Sequence, residues 1–234
     1  MRLTVIGCSG SAPGPDAACS CYLVEQDGWR LLLDLGTGAV GPLQRYAPVT
    51  ALDAVFVTHA HGDHCDDLVA LAYLRSVAGD AGALPVYGPS AVESRLADRL
   101  PAHRRFAFGP APERIGPYRV RTAVARHQVE NWAVRLDDQL CYTGDSAPCD
   151  ALDDLAHGCA VVLAEASGFD DEAVPNHLTA GDAGRLARRA EAQLLVLTHI
   201  RPWHRDRAAD LLAEAARHSS CPVVLATAGL TLTL

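Results

Sequence analysis

The segment Val57-Thr58-His59-Ala60-His61-Gly62-Asp63-His64 places four side chains able to ligate a metal within six residues. Imidazoles lose hydration on burial and carboxylates lose far more, so such a cluster beside an apolar strand needs a positive charge at its centre. A divalent cation supplies it. His59 and His61 alternate and leave an extended loop on the same side, whereas the adjacent Asp63 and His64 open a helix and can face a second point. One segment can therefore serve two metals. His127, Asp145 and His199 each follow or close an apparent strand, where a sheet edge presents side chains to a common cleft. Each alone reads equally as an exposed loop residue; together they supply the ligands still missing.

The chemistry of such a set is hydrolytic. Two cations about 3.5 to 4 Å apart activate a shared solvent molecule near neutral pH and take up charge on the group under attack. A donor set rich in imidazole points first to Zn2+, and its carboxylates also suit Mn2+ or Fe2+.

The elements that must position these residues are short Val/Leu/Ile runs alternating with Ala/Leu-rich helical stretches, an α/β pattern. Strands are predicted at 3–7, 20–25 and 30–34, the last two joined by the hairpin turn Gln26-Asp27-Gly28. A strand at 54–57 leads into the His-rich segment, and a helix over 63–78 is closed by Gly79. A strand at 84–87 precedes a helix after Pro89. Strands at 118–125, 132–136, 139–143 and 160–164 follow. Thr179 and Asp182 have the spacing of a capping box opening a helix to Ala190, before a strand at 194–198, a helix at 205–218 and a strand at 222–226. Two stacked sheets with helices outside account for this order, and a single open sheet also fits the periodicity. No linker, repeat or charge block divides the chain, so residues 1–234 are expected to form one domain.

With 49% apolar and 21% charged residues over 234 positions, the chain can bury a substantial core. Its net charge of −8 argues against a broad basic surface for nucleic acid. A small anionic substrate remains compatible, because bound metal would supply the cationic charge. The first strand begins at once with no signal-peptide pattern, and no apolar run approaches the roughly 20 residues of a membrane span. A soluble cytoplasmic protein is expected. The eight cysteines form no CxxC pair and are read as free thiols in a reducing compartment.

The ordered strings Gly7-Cys8-Ser9-Gly10-Ser11, Asp34-Leu35-Gly36-Thr37-Gly38, the HAHGDH segment, His127, Tyr142-Thr143-Gly144-Asp145-Ser146, Glu165-Ala166-Ser167, His177-Leu178-Thr179 and Thr198-His199 span nearly the whole chain. In them the sequence resembles the metallo-β-lactamase superfamily, and within it the ribonuclease Z-like phosphodiesterase branch. The resemblance implies a four-layer αββα sandwich. It implies that His59, His61 and His127 hold one metal, that Asp63, His64 and His199 hold the other, and that Asp145 bridges both. It also implies that Asp34 fixes the His-rich loop from behind, that protonated His177 delivers a proton to the leaving group, and that Glu165 orients His177. Asp63 would count among the catalytic residues as well as the ligands.

Departures from the family narrow the activity. Ribonuclease Z carries a tRNA-gripping arm between the third histidine and the bridging aspartate; here His127 and Asp145 lie only 18 positions apart. A tRNA 3′-processing endonuclease is accordingly disfavoured. β-Lactamases of this fold commonly have a cysteine where Asp145 stands, and glyoxalase-like thioester hydrolases usually add a C-terminal helical domain. The compact form, with His127-Gln128-Val129-Glu130 and Thr198-His199-Ile200-Arg201-Pro202-Trp203, looks most like bacterial phosphodiesterases that open cyclic nucleotides, although Gln128 stands where the family more often has proline. The alternative is a hydrolase of a thioester, lactone or specialised metabolite. Trp132 or Trp203 could stack on a base, Arg201 and His204 could contact phosphate, and Ser9 and Ser11 sit on a glycine-rich turn near the expected cleft. A homodimer is suggested only by analogy with relatives.

Overall fold

The computed structural model describes residues 1–79, 82–99 and 106–234. Its strands in chain order are β1 (Arg2–Gly7), β2 (Cys21–Gln26), β3 (Trp29–Leu33), β4 (Ala54–Phe56), β5 (Leu84–Tyr87), β6 (Phe106–Gly109), β7 (Arg114–Ile115), β8 (Tyr118–Ala125), β9 (Asn131–Leu136), β10 (Leu140–Tyr142), β11 (Val161–Glu165), β12 (Leu194–Thr198), β13 (Val223–Leu225) and β14 (Thr231–Thr233). The helices are α1 (Val40–Leu43), α2 (Gly62–Cys65), α3 (Leu68–Val77), α4 (Ser90–Ala97), α5 (Asp150–Ala156), α6 (Ala180–Arg189) and α7 (Ala208–His218). Among the described residues none of these is long and apolar enough to cross a membrane.

The strands form two sheets, ordered β14-β1-β2-β3-β4-β5-β6 and β13-β12-β11-β10-β9-β8-β7. In the first, β14, β1, β2 and β3 pair antiparallel, and β3 through β6 run parallel. The second is antiparallel from β7 to β10 and parallel from β10 to β13. The strands carry apolar residues on both faces, as covered sheets require. Leu31 and Leu33 of β3 join Val5, Tyr22, Phe56, Tyr142 and Leu163 in a core between the sheets, whereas Leu32 faces the opposite way, toward Leu43, Leu68 and Leu71. On the far side Val162 and Leu197 meet Leu155, Leu186 and Leu211 from α5, α6 and α7. The layers therefore run helix, sheet, sheet, helix, and the single open sheet is excluded.

The β2–β3 hairpin turns through Asp27 and Gly28, both at positive φ (52° and 83°). Thr179 caps α6 reciprocally with Asp182, the expected capping box. The helix expected over 63–78 is in fact two, α2 and α3, because Asp66 and Asp67 are drawn elsewhere. Asp67 accepts the Val40 N–H at 2.8 Å, and Asp66 pairs with Arg95 and Arg99 at 2.8 and 2.6 Å. The predicted helix at 205–218 likewise starts later, since Pro202–Arg207 is a 3-10 turn leading into α7.

Because β1, β3, β4 and β5 point one way, the loops after their C-terminal ends gather at one edge of the sandwich. β8, β10, β11 and β12 deliver their own terminal loops in the second sheet. Ligands are expected outside such carboxyl ends.

Candidate metal centre

The His-rich loop leaves β4 directly, and the Asp34 carboxylate anchors it. Asp34 sits at φ 59° and is wholly buried. It accepts the Thr58 N–H at 2.7 Å, the Thr58 hydroxyl at 3.0 Å and the Tyr142 hydroxyl at 2.7 Å, and lies 2.7 Å from His64 Nδ1. The proton of the His64 imidazole is thereby held on Nδ1, which leaves Nε2 as a lone-pair donor. His127 is fixed in the same sense by Nδ1 donating to the Asn176 carbonyl at 2.9 Å. Gly36 lets the loop approach closely, since a Cβ there would run into the Asp63 carbonyl.

Seven donors converge from both sheets. His61 Nδ1 stands 3.1 Å from His59 Nε2 and 3.2 Å from His127 Nε2, and Asp145 Oδ2 is 3.8 Å from His59 Nε2. The other carboxylate oxygen, Asp145 Oδ1, lies 3.3 Å from His64 Nε2 and 3.4 Å from His199 Nε2. Asp63 Oδ2 closes that second group at 3.6 Å from His64 and 3.1 Å from His199, and receives the Ser11 N–H at 2.8 Å. Ligands about 2.0 to 2.2 Å from a tetrahedral ion are separated by about 3.3 to 3.6 Å. The observed spacings match that edge length.

Two further observations test the fit. His64 Nε2 and Asp145 Oδ1 are buried without a hydrogen-bonding partner, a cost of about 1 to 3 kcal/mol each if nothing answers them. The donors are also electrostatically inconsistent without a cation. Burial and then His64 hold His59 well below the ordinary imidazole value. Burial opposes protonation of His64, yet Asp145, Asp34 and Asp63 carry it well above. In His199, too, burial is outweighed by Asp145 and Asp63. Burial disfavours charge on Asp145, but His199 and His64 hold it well below the ordinary carboxylate value. The raised imidazoles answer a concentration of carboxylate charge that a bound cation would otherwise neutralise. The groups His59, His61, His127, Asp145 and Asp63, His64, Asp145, His199 are suited to bind a metal pair.

Beside them, His177 Nδ1 donates to Glu165 Oε2 at 2.9 Å, and Glu165 Oε1 accepts the Ser146 N–H at 2.5 Å. Burial, then Asp145, raises Glu165 well above the ordinary carboxylate value. Burial lowers His177; Asp145 partly offsets this and Arg201 reinforces it. These opposing influences leave the imbalance on the side of proton release, and the Glu165 contact fixes the ring through Nδ1.

The remaining expectations divide. Ser9 is wholly buried with its hydroxyl donated to the Ala12 carbonyl at 2.7 Å, and it braces the loop instead of facing substrate. His204 is also a correction: its ring is held by the Ser167 carbonyl at 3.1 Å and Glu172 at 3.2 Å. Ser11 acts through its backbone on Asp63. Trp203 is 62% exposed, with the Arg201 guanidinium 5.7 Å from its ring centre. Tyr142, Thr58 and Asn176 were not anticipated as supports, although Thr58 and Tyr142 stand inside the strings that carry the ligands. All eight cysteines are free.

The chain is similar in sequence and fold to known proteins. A family model described as a β-lactamase superfamily domain matches residues 29–200. The chain is 34% identical to an uncharacterized protein of Mycobacterium leprae over 99% of its own length and 88% of the other. It is 31% identical to the probable metallo-hydrolase YhfI of Bacillus subtilis, covering 86% of this chain and 87% of that one. The crystal structure of YhfI, described as a metallo-β-lactamase fold protein, matches with a TM-score of 0.90 over 99% of this chain and 98% of that chain, at 28% identity. A ribonuclease Z of Myxococcus xanthus is 26% identical over 100% of this chain and 98% of its own.

Proposed function

Because the chain belongs to the β-lactamase superfamily of metallo-hydrolases and has the metallo-β-lactamase fold, we propose that it hydrolyses a small phosphodiester at a two-metal centre, a cyclic nucleotide being the favoured substrate. One observation carries the choice of an anionic ester. Arg201, two residues beyond His199 and close enough to lower the pKa of His177, has no ion-pair partner among the described residues, and its Nε is buried without a hydrogen bond. A phosphate oxygen is the partner it lacks. The interval in which a tRNA-gripping arm would be inserted is filled by β9 and β10, which favours a small substrate over a polymer.

His59, His61 and His127 would hold one ion, Asp63, His64 and His199 the other, with one oxygen of Asp145 toward each. When bound, such a pair acts as a Lewis acid that acidifies water and stabilises charge on phosphoryl oxygens. Arg201 orients the phosphate. His177, held by Glu165, takes a proton from the attacking water as the new P–O bond forms and returns it to the departing ester oxygen as the old P–O bond breaks. One water is consumed, and a phosphomonoester with a free hydroxyl results. Glu165 keeps the ring in place through Nδ1, and Ser146 keeps Glu165 in place.

The test is a turnover panel on purified metal-loaded protein, with cyclic mononucleotides set against acyl thioesters and lactones. Release of nucleoside monophosphate is expected. Thioester or lactone turnover without cleavage of any phosphodiester would overturn the reading.

A further inference from the structure

Next to the metal centre lies a cavity of about 340 Å³ that the chemistry above does not use. It falls at the lower end of the roughly 300 to 1,000 Å³ typical of small-molecule sites. Val86 and Val92 form an apolar floor, Phe108 and Trp132 are aromatic walls, and Glu93 and Glu130 bring carboxylates to it. The Trp132 indole N–H donates to Glu130 Oε1 at 2.8 Å, which fixes the plane of the ring.

The cavity is joined to the metal loop through the backbone. Trp132 N–H donates to the Thr58 carbonyl at 2.9 Å and Val57 N–H to the Tyr87 carbonyl at 2.8 Å, so the walls hang on the two residues that precede His59. Gly88 lines the cavity where a Cβ would strike the Val57 carbonyl. On the other side, Glu130 and Trp132 stand three and five residues after His127. The cavity thus occupies the carboxyl edge of β5 and β6, the same edge from which β4 delivers its ligands.

Resting on the phosphodiester reading, we propose that this cavity is a nucleobase subsite, stacking a heteroaromatic ring on Trp132 and accepting its N–H groups at Glu130 and Glu93. The charge pattern sets the direction of the substrate. Neither glutamate has a cationic partner among the described residues. Carboxylates repel a phosphate and accept from amino and ring N–H donors. The anionic end is consequently directed to Arg201 and the metals, and the base to the aromatic cleft. A saturated acyl chain would satisfy the apolar floor and leave both carboxylates unanswered, so an amino-bearing base fits the chemistry better.

The experiment is isothermal titration of the metal-loaded protein with adenosine 5′-monophosphate and with ribose 5-phosphate, which carries the same phosphate without the base. The nucleotide is expected to bind at least about ten-fold more tightly, the scale of one base–aromatic stack. Trp132→Ala should collapse that ratio to within about three-fold, and Glu130→Gln, at an exposed position whose exchange leaves the core untouched, should reduce it. Equal affinities in the parent protein, or an undiminished ratio in both variants, would overturn the subsite. If the ratio is present and falls in the variants while no phosphodiester is cleaved, the subsite stands and the reaction assigned above fails.

Discussion

Asp34 Oδ2 lies 2.7 Å from His64 Nδ1, and both side chains are wholly shut off from solvent. The carboxylate decides which ring nitrogen carries the proton, and hence whether His64 Nε2 can face a metal.

Asp34→Asn tests this without breaking the turn, since asparagine also tolerates the positive φ of 59°. The amide cannot accept from Thr58, Tyr142 and His64 together. Metal affinity of the group Asp63, His64, His199 is expected to fall about 10- to 100-fold. Elemental analysis after dialysis should show about one ion per chain where the parent retains two. Two ions retained in the variant would refute the role.

His177→Ala should slow phosphodiester cleavage by about 10² to 10⁴-fold, with metal content unchanged. Near-parental turnover removes His177 from the reaction.

Arg201→Ala should raise KM for a phosphodiester by about 10- to 100-fold, the loss of one charge-assisted contact, and change kcat less. A selective fall in kcat would instead place Arg201 in the transition state.

Acidity should loosen the metal-free protein. His59, His61, His127 and His177 all have folded values lowered from 6.5, so below pH 6.5 the unfolded chain takes up protons that the folded chain refuses. Stability is lost as pH falls from 6.5 toward those lowered values. His64 and His199 are raised, so their contribution is complete below 6.5 and adds no slope there. Raised Glu165 works in the opposite sense with a single proton, against four imidazoles. Thermal scans should show Tm of the metal-free protein dropping between pH 6.5 and 5. The Tm gain from added zinc should be largest above pH 7 and shrink over the same interval, because protons compete for the ligands. A zinc-induced gain that grows as pH falls would contradict the ligand set.

Thiol chemistry gives an independent check on packing. Burial pushes Cys19 and Cys65 up to about 12 and Cys159 up to about 11, and raises Cys8, Cys21 and Cys141 as well. Cys149 and Cys221 are only half-buried. A colorimetric disulfide reagent at pH 8 should label two thiols quickly, and all eight only in denaturant. Peptide mapping that finds Cys19 or Cys65 labelled first would contradict the packing.

The converging residues were legible because chemistry compresses into local strings: alternation in HAHGDH already divides its members between the two groups, and each remaining donor follows a strand. The strands β2, β5, β8 and β12 were placed within a residue or so by their apolar runs. What escaped depends on residues far away in sequence. The break between α2 and α3 is made by Val40, Arg95 and Arg99 pulling on Asp66 and Asp67. The edge strands β6 and β14 are short and owe their place to pairing with β5 and β1. Ser9 and His204 looked available because hydroxyl and imidazole groups do not announce whether a carbonyl will claim them. The lowering of His177 comes from burial and Arg201, neither visible in a linear motif.

Four of the seven donors hang from the first sheet and three from the second, and beneath them the sheets meet across a largely apolar interior. Cation retention is thus a gauge of how truly the two slabs are seated. A sub-ångström slip caused by a void at Leu31 or Leu163, remote from any imidazole, would spread the donors apart and register as leakage of ions before it registered as unfolding.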